Sequence, residues 1–295
     1  MHELFLTASV NPTDFDTVCA ILQGLTWMTA RRSVYRVLYF AGQPQPTGLP
    51  KLPARGMLPR QQERQLWADL HKQLLRSSYI LQAHFEVPSE ADFGKEAPMD
   101  LPHLPATLRW TDLPDVLKEP QTALRKKNLP PAPNVPVPVA EPVKDSPIIS
   151  RKKIDIPFSA GLVLALSENK QTYKNELIQE VYSFHKEKLE ISLSRYYYIP
   201  AESNAGGRRP APQLPAWDAL RPVDDDAAHN KWVLNLKLNV SEDEQPENLA
   251  KAQEELMRHK TEFEKLFEFQ MLDRRVFDTR IAPPPVIPGR GPPPG

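Results

Sequence analysis

His2–Val10 reads HELFLTASV, and its alternation sets the fold class. Leu4, Leu6, Ala8 and Val10 share one parity, while Glu3, Thr7 and Ser9 share the other. That period-2 pattern is the mark of a half-buried strand. Asn11-Pro12-Thr13-Asp14 then reads as a turn into a helix over Phe15–Leu25. Thr13 or Asp14 is a candidate cap, because a short oxygen-bearing side chain accepts from free backbone amides at a helix start. Ser33–Ala41, SVYRVLYFA, closed by Gly42, is a second strand. The chain opens as strand–helix–strand with no glycine-rich phosphate loop between the elements, which is the pattern of a scaffold and not of a nucleotide site.

Outward from this block the pattern stays strand-rich. Pro44–Leu58 is a loop by its Pro/Gly punctuation, Arg60–Leu75 a helix, Ser78–Val87 a strand stopped by Pro88, Pro88–Pro105 irregular and Thr107–Thr111 a short strand. In the second half, Arg151–Glu168 reads as two short strands, or as one with a bulge at Gly161. Asn175–Phe184 and Lys188–Tyr198 form a hairpin, and Pro200–Pro215 is a loop. Lys231–Val240 carries the cleanest alternation: Trp232, Leu234, Leu236, Leu238 and Val240 on one face, Lys231, Asn235, Lys237 and Asn239 on a wet one. Apolar residues stepping by three and four predict a helix over Pro246–Asp273, with Ser241 and Glu244 as a capping box.

The prolines, 33 of 295 residues, set the organisation. Glu119–Ser150 has eight of them and few large apolar residues, so it cannot bury enough surface to offset its ordering entropy. Two strand-rich segments, 1–118 and 151–280, flank it, and neither has clear means of covering its sheet edges. The expectation is a mostly β, α+β fold. It is one antiparallel β-barrel built from both segments, with flanking helices, a disordered 119–150 insertion and a disordered Pro/Gly-rich tail at 281–295.

Composition narrows function. The formal net charge is +0 and the pI is near 7.1, so no basic excess points to nucleic acid. The clusters Arg125-Lys126-Lys127 and Arg151-Lys152-Lys153 read as solvated charge beside the proline-rich stretch. Cys19 is the one cysteine, read as a small buried apolar residue; no thiolate zinc site or disulfide framework is possible within the chain. The start lacks the basic and apolar regions of a signal peptide, and no apolar run is long enough for a membrane helix. The seven histidines show no HxxxH or HxH spacing. No catalytic, cofactor-binding or metal-binding residue is assigned. Glu176 and Glu180 share strand parity around Ile178 and read as a solvated sheet face. Tyr35 and Tyr39 on one strand, and Tyr196, Tyr197 and Tyr198 on another, are the candidate partner contacts, because aromatic residues are enriched at interface centres.

Several stretches together resemble the Mediator subunit 18 family in its filamentous-fungal form. They are MHELFLTASV at the start, CAILQGLTWM at Cys19–Met28, SVYRVLYFAG with PQPTGLP after it, ISLSRYYYIP at Ile191–Pro200, WVLNLKLNV at Trp232–Val240 and LDRRVFDTRI at Leu272–Ile281. The resemblance implies a nuclear, non-catalytic subunit of the head module of the Mediator coactivator, linking regulators to the RNA polymerase II machinery. It implies a barrel like that of the triphosphate-tunnel phosphatases, a heterodimer with subunit 20 and a tether from the C-terminal helix of subunit 8, other head subunits beyond these, and no direct contact with DNA or membrane. The alternative is a diverged tunnel-type triphosphate phosphohydrolase; no ExExK run is present. The two readings differ in the lumen: Leu, Val and Phe packing for a scaffold, paired charges for a hydrolase.

Overall fold

The computed structural model describes residues 1–42, 47–54, 56–58, 60–75, 79–88, 92–95, 97–113, 115–116, 148–200, 209–223, 231–241 and 246–270. The first segment holds β1 (His2–Val10), α1 (Phe15–Thr26), β2 (Arg31–Ala41), α2 (Gln61–Gln73), β3 (Ile80–Glu86), β4 (Ala106–Thr111) and β5 (Asp115–Val116). The second holds β6 (Ile149–Phe158), α3 (Leu162–Glu168), β7 (Thr172–Lys186), β8 (Leu189–Tyr198), β9 (Arg221–Pro222), β10 (Trp232–Val240) and α4 (Pro246–Phe263). Residues 119–147, the 281–295 tail and Glu244 of the expected capping box lie outside the described residues.

Strands from both segments form one antiparallel sheet in the order β1-β10-β8-β7-β2-β3-β4-β6, and β1 pairs with β6 to close it into an eight-stranded barrel. The β1–β6 seam is short, His2 to Phe5 against Lys152 to Ile149. Beyond it, the chain after α4 takes over the edge of β1. Phe269 bridges Ala8, the Gln270 amide donates to the Thr7 carbonyl at 3.0 Å, and the Thr7 hydroxyl donates to the Gln270 carbonyl at 2.6 Å. The β7–β8 hairpin turns at Glu187, which sits at φ 57.

The apolar faces of the strands point outward. Leu4, Leu6, Leu234, Leu236, Ile191 and Leu193 are all fully buried against Val18 and Leu22 of α1 and Leu256 and Phe263 of α4. Trp232 stacks on Phe15 at 4.4 Å. Around the wall, Leu38, Leu81, Phe85, Leu108 and Ile156 pack beneath α2 and α3, with Trp67 edge-on to Phe158 at 5.8 Å. A third patch, Val34, Ile178 and Tyr197, lies under Leu214, Leu220 and Trp217 of the 209–223 segment. Helices and a strap therefore cover the barrel, as the chemistry of its outer wall demands.

Five local expectations change. The wet parity of β1 and β10 faces the lumen and not bulk solvent; Glu3 is 1% exposed, and Lys237, expected on a wet face, lines the cavity. LVLAL at Leu162–Leu166 is helix α3 and not strand, since a short apolar run fits either period. Gly161 starts that helix at φ 75 and abuts Met57, where an added Cβ would lie 2.6 Å from the methyl carbon; glycine alone takes this backbone without strain. Helix α4 ends at Phe263, not Asp273, because the chain must turn back to reach β1. Strand β6 begins at Ile149 and Ile148 is fully buried, so 148–150 belong to the barrel and not to the insertion. Asp14 precedes α1 but makes no capping hydrogen bond; it accepts from Asn11 and Thr13 side chains instead. Cys19 is buried in the outer core, and burial raises its thiol to about 11.

Candidate functional site

The interior of the barrel is a cavity of about 360 Å³ whose walls mix charged and polar groups with apolar and aromatic ones. Each strand contributes through the parity opposite its outward leucines and valines. Glu3 and Thr7 come from β1, Arg109 from β4, Arg151 from β6, Glu190, Ser192 and Tyr196 from β8, and Lys237 from β10. On β6 the residues Arg151, Lys153 and Asp155 alternate along the same inward parity. The second basic cluster of the sequence is therefore not solvated linker charge.

Ion pairs cross from strand to strand. Arg151 donates to Glu3 directly across the β1–β6 seam. Lys153 Nζ lies 3.7 Å from the other Glu3 oxygen and 3.2 Å from Asp155. Arg109 grips Asp155 bidentately, Nε at 2.9 Å and a terminal nitrogen at 3.0 Å, the fork geometry that makes arginine–carboxylate pairs strong. Lys237 Nζ donates to Glu190 at 3.2 Å. Burial opposes ionisation of Glu3, but Arg151, Lys237 and Lys153 outweigh it and hold its carboxyl far below the ordinary range. Burial likewise opposes ionisation of Asp155, and Arg109 and Lys153 win. Lys237 holds Glu190 down against burial. His84 goes the other way: burial, then the charges of Arg109 and Lys153, push it well below 6.5, so it is neutral at neutral pH.

These directions fix the response to acid. Each carboxyl has a folded pKa below its unfolded value, so its stabilisation is complete above the ordinary values of 4.5 and 3.8 and is lost as pH falls through and below them. Urea midpoints are expected to decline gently below about pH 6.5, where the unfolded chain protonates His84 and the folded one does not, and to fall more steeply below about pH 4.5 as the carboxyls protonate. Glu3→Gln should flatten that fall; an unchanged acid slope in this variant would mean that Glu3 is not part of the network.

Glu176 and Glu180 are not on a solvated face. Both point outward beneath the 209–223 strap and are about 5% exposed. Arg36 Nε donates to Glu176 at 2.8 Å, and both side chains are 0% exposed. The Ala211 amide donates to the other Glu176 oxygen at 2.7 Å, and Arg36 donates to the Ala211 carbonyl at 2.6 Å. Glu180 accepts from Arg32 at 2.7 Å, Tyr197 at 2.8 Å and Tyr182 at 3.3 Å. Glu176 ties the strap to the wall, and Glu180 ties β2, β7 and β8 together beneath it.

The five tyrosines separate. Tyr35, Tyr39 and Tyr196 line the lumen. Tyr197 is 8% exposed under Trp217. Only Tyr198, at 47%, presents its ring to solvent. Odd and even positions of one strand must face opposite ways, and in this barrel neither way is bare. The largest exposed ring is instead Trp27, 93% exposed, at the left-handed end of α1 with Met28 beside it. The lumen residues Glu3, Arg109, Arg151, Lys153, Asp155 and Lys237 were missed by motif reading; the alternation of Arg151, Lys153 and Asp155 was the available signal.

A family profile described as Med18 protein matches residues 2–129 and 137–280, nearly the whole chain. The chain belongs to the Med18 family. Membership makes it a subunit of Mediator, a nuclear transcription complex, in a family that is generally non-catalytic. The Med18-type fold is also seen in a chain of the Schizosaccharomyces pombe Mediator head module. That chain has 12% sequence identity and a TM-score of 0.57, covering 92% of this chain and 99% of the other. Looser likenesses extend to a protein from Pyrococcus horikoshii, 9% identical, TM-score 0.38, covering 90% and 94% of the two chains. Another is a Hippeastrum protein described as a putative adenylyl cyclase with a dominant triphosphatase activity, 7% identical, TM-score 0.42, covering 93% and 94%. No curated protein matches the sequence.

The lumen of this Med18-family barrel carries paired charges, the feature expected of a tunnel hydrolase and not of a scaffold. The pairing decides how to read it. A metal-assisted phosphohydrolase needs carboxylates free to bind its cation, whereas Glu3, Asp155 and Glu190 each already face lysine or arginine. Among the described residues no group of three or more His, Cys, Asp or Glu converges as a metal site.

Proposed function

We propose that this chain is a non-catalytic scaffold of the Mediator head module, linking regulators to the RNA polymerase II machinery. In this reading it pairs with subunit 20 and is tethered by the C-terminal helix of subunit 8. The observation that carries the reading is the family match over nearly the whole chain. The engagement of every lumen carboxylate by a cation supports it against the hydrolase alternative. Of the exposed apolar side chains, Tyr198 and Trp27, with Met28 beside it, are those from which a partner contact is built, since aromatic anchors dominate interface energetics.

Titration of the purified chain against subunit 20, and separately against duplex promoter DNA, at low and high salt tests this. Apolar association loses little as salt rises, whereas phosphate contacts weaken steeply. The expected result is salt-insensitive binding to subunit 20, weakened by Tyr198→Ala or Trp27→Ala, and no tight DNA binding. Tight, salt-sensitive DNA binding by the chain alone would contradict the scaffold reading. Release of phosphate from tripolyphosphate that needs a divalent cation and vanishes in Glu3→Gln would restore the hydrolase.

A further inference from the structure

We infer that the barrel lumen is a binding site for a small organic anion: one oxyanion group, carboxylate or phosphate, on a compact apolar or aromatic body, taken up without a metal ion. Four independent features converge on it. First, the cavity has the volume of a small-ligand site, about 360 Å³, where such sites run from roughly 300 Å³ upward. Second, its cations outnumber its carboxylates. Arg109, Arg151 and Lys237 line it against Glu3 and Glu190, the adjoining Lys153 and Asp155 cancel each other, and His84 adds no charge at neutral pH. One negative charge balances the set. A triphosphate with its several charges does not match it, and a bare divalent cation is repelled.

Third, the donors are not used up. A guanidinium carries five N–H groups in a fixed fork. Arg109, part of the lining, spends two on Asp155 and keeps three. Ser192, 1% exposed, has a hydroxyl lining the cavity with no hydrogen-bond partner. A buried polar atom left without a partner is costly, and an oxyanion or a water held with it satisfies this one. Fourth, between its polar groups the lining carries apolar and aromatic surface. Phe5, Tyr35, Tyr39, Ile80 and Val233 give a ring or short aliphatic body a surface to occupy. Tyr196 lies within electrostatic reach of Arg109, Arg151 and Glu3, so the aromatic and charged parts of the lining meet.

This inference does not depend on the scaffold role, because a subunit binds a small molecule in its lumen whether or not it touches subunit 20. The full chain is titrated by ligand-observed NMR and calorimetry with benzoate, phenyl phosphate, neutral benzyl alcohol and magnesium-ATP. Saturable binding of benzoate or phenyl phosphate is expected, at least tenfold tighter than benzyl alcohol and indifferent to EDTA. Benzoate against phenyl phosphate distinguishes the two oxyanions. Lys237→Gln removes the surplus charge and is expected to weaken the anion at least tenfold. Ser192→Leu fills the cavity without removing a hydrogen bond, and is expected to abolish binding with the melting temperature preserved; it decides the matter if Lys237→Gln does not fold. No saturable anion binding, equal binding in folded Ser192→Leu, or a preference for magnesium-ATP would overturn the assignment.

Discussion

Glu176→Ala is expected to destabilise the protein by about 3–5 kcal/mol, the cost of leaving Arg36 charged and unpaired in a dry site. Both side chains are 0% exposed, and the Ala211 amide loses its acceptor at the same time. In a barrel of this size that corresponds to a melting temperature lower by roughly 10 °C. Replacing both members, Arg36→Met with Glu176→Leu, is expected to recover at least ~2 kcal/mol, because an apolar pair of similar volume is often neutral relative to a buried ion pair. A urea double-mutant cycle reads this directly. If the double variant were as unstable as the sum of the singles, the two residues would not be coupled and the strap would be held by other contacts.

Trp232→Ala carries the second large effect, about 3–5 kcal/mol for emptying a buried indole site. Trp232 is 5% exposed, stacked on Phe15, edge-on to Tyr182 at 5.6 Å and covered by Arg195 at 5.6 Å. Tyr198→Ala, on an exposed ring, is expected to stay within ~0.5 kcal/mol, as surface changes usually do. Thermal melts of the two variants compare them; equal midpoints would mean that α1 does not cover β10.

The alternation that makes β1 and β10 legible also explains what was misread. A period of two states only that the faces differ; it assigns the apolar face to a core and, with no sign of closure, the other to water. In a closed barrel dressed in helices both faces are interior. Leu236 meets Leu256 and Phe263 outside, while Lys237 meets Glu190 inside. Nothing in WVLNLKLNV separates a lumen from solvent, because closure is a property of the β1–β6 pairing, between residues far apart in sequence. The same blindness placed Glu176 and Glu180 in water: their partners Arg36 and Arg32 are some 140 residues upstream and the strap that seals them lies downstream. Residues whose surroundings are local were read well. The hairpin of β7 and β8, the Phe15 start of α1 and the turn after β1 rest on neighbours in the chain. Leu162–Leu166 failed for the opposite reason, being too short for its period to speak.

The charged lumen removes the contrast between a packed scaffold and a charged hydrolase. Charge inside this barrel is structural in part, since Arg151 and Glu3 staple the short seam where the sheet closes. The chain after α4 joins β1 just beyond that seam, at Thr7 and Ala8, so barrel closure, the ion-pair network and the Phe269–Gln270 contact lie along one strand.

The central claim, that this barrel is a Mediator subunit and not a free-standing enzyme, is tested most directly by immunopurifying the tagged full-length chain from nuclear extract at its native expression level and quantifying the proteins recovered with it. The account predicts near-stoichiometric recovery of Mediator head subunits, retained through a high-salt wash. Recovery of the chain alone, or with proteins unrelated to transcription, would contradict it.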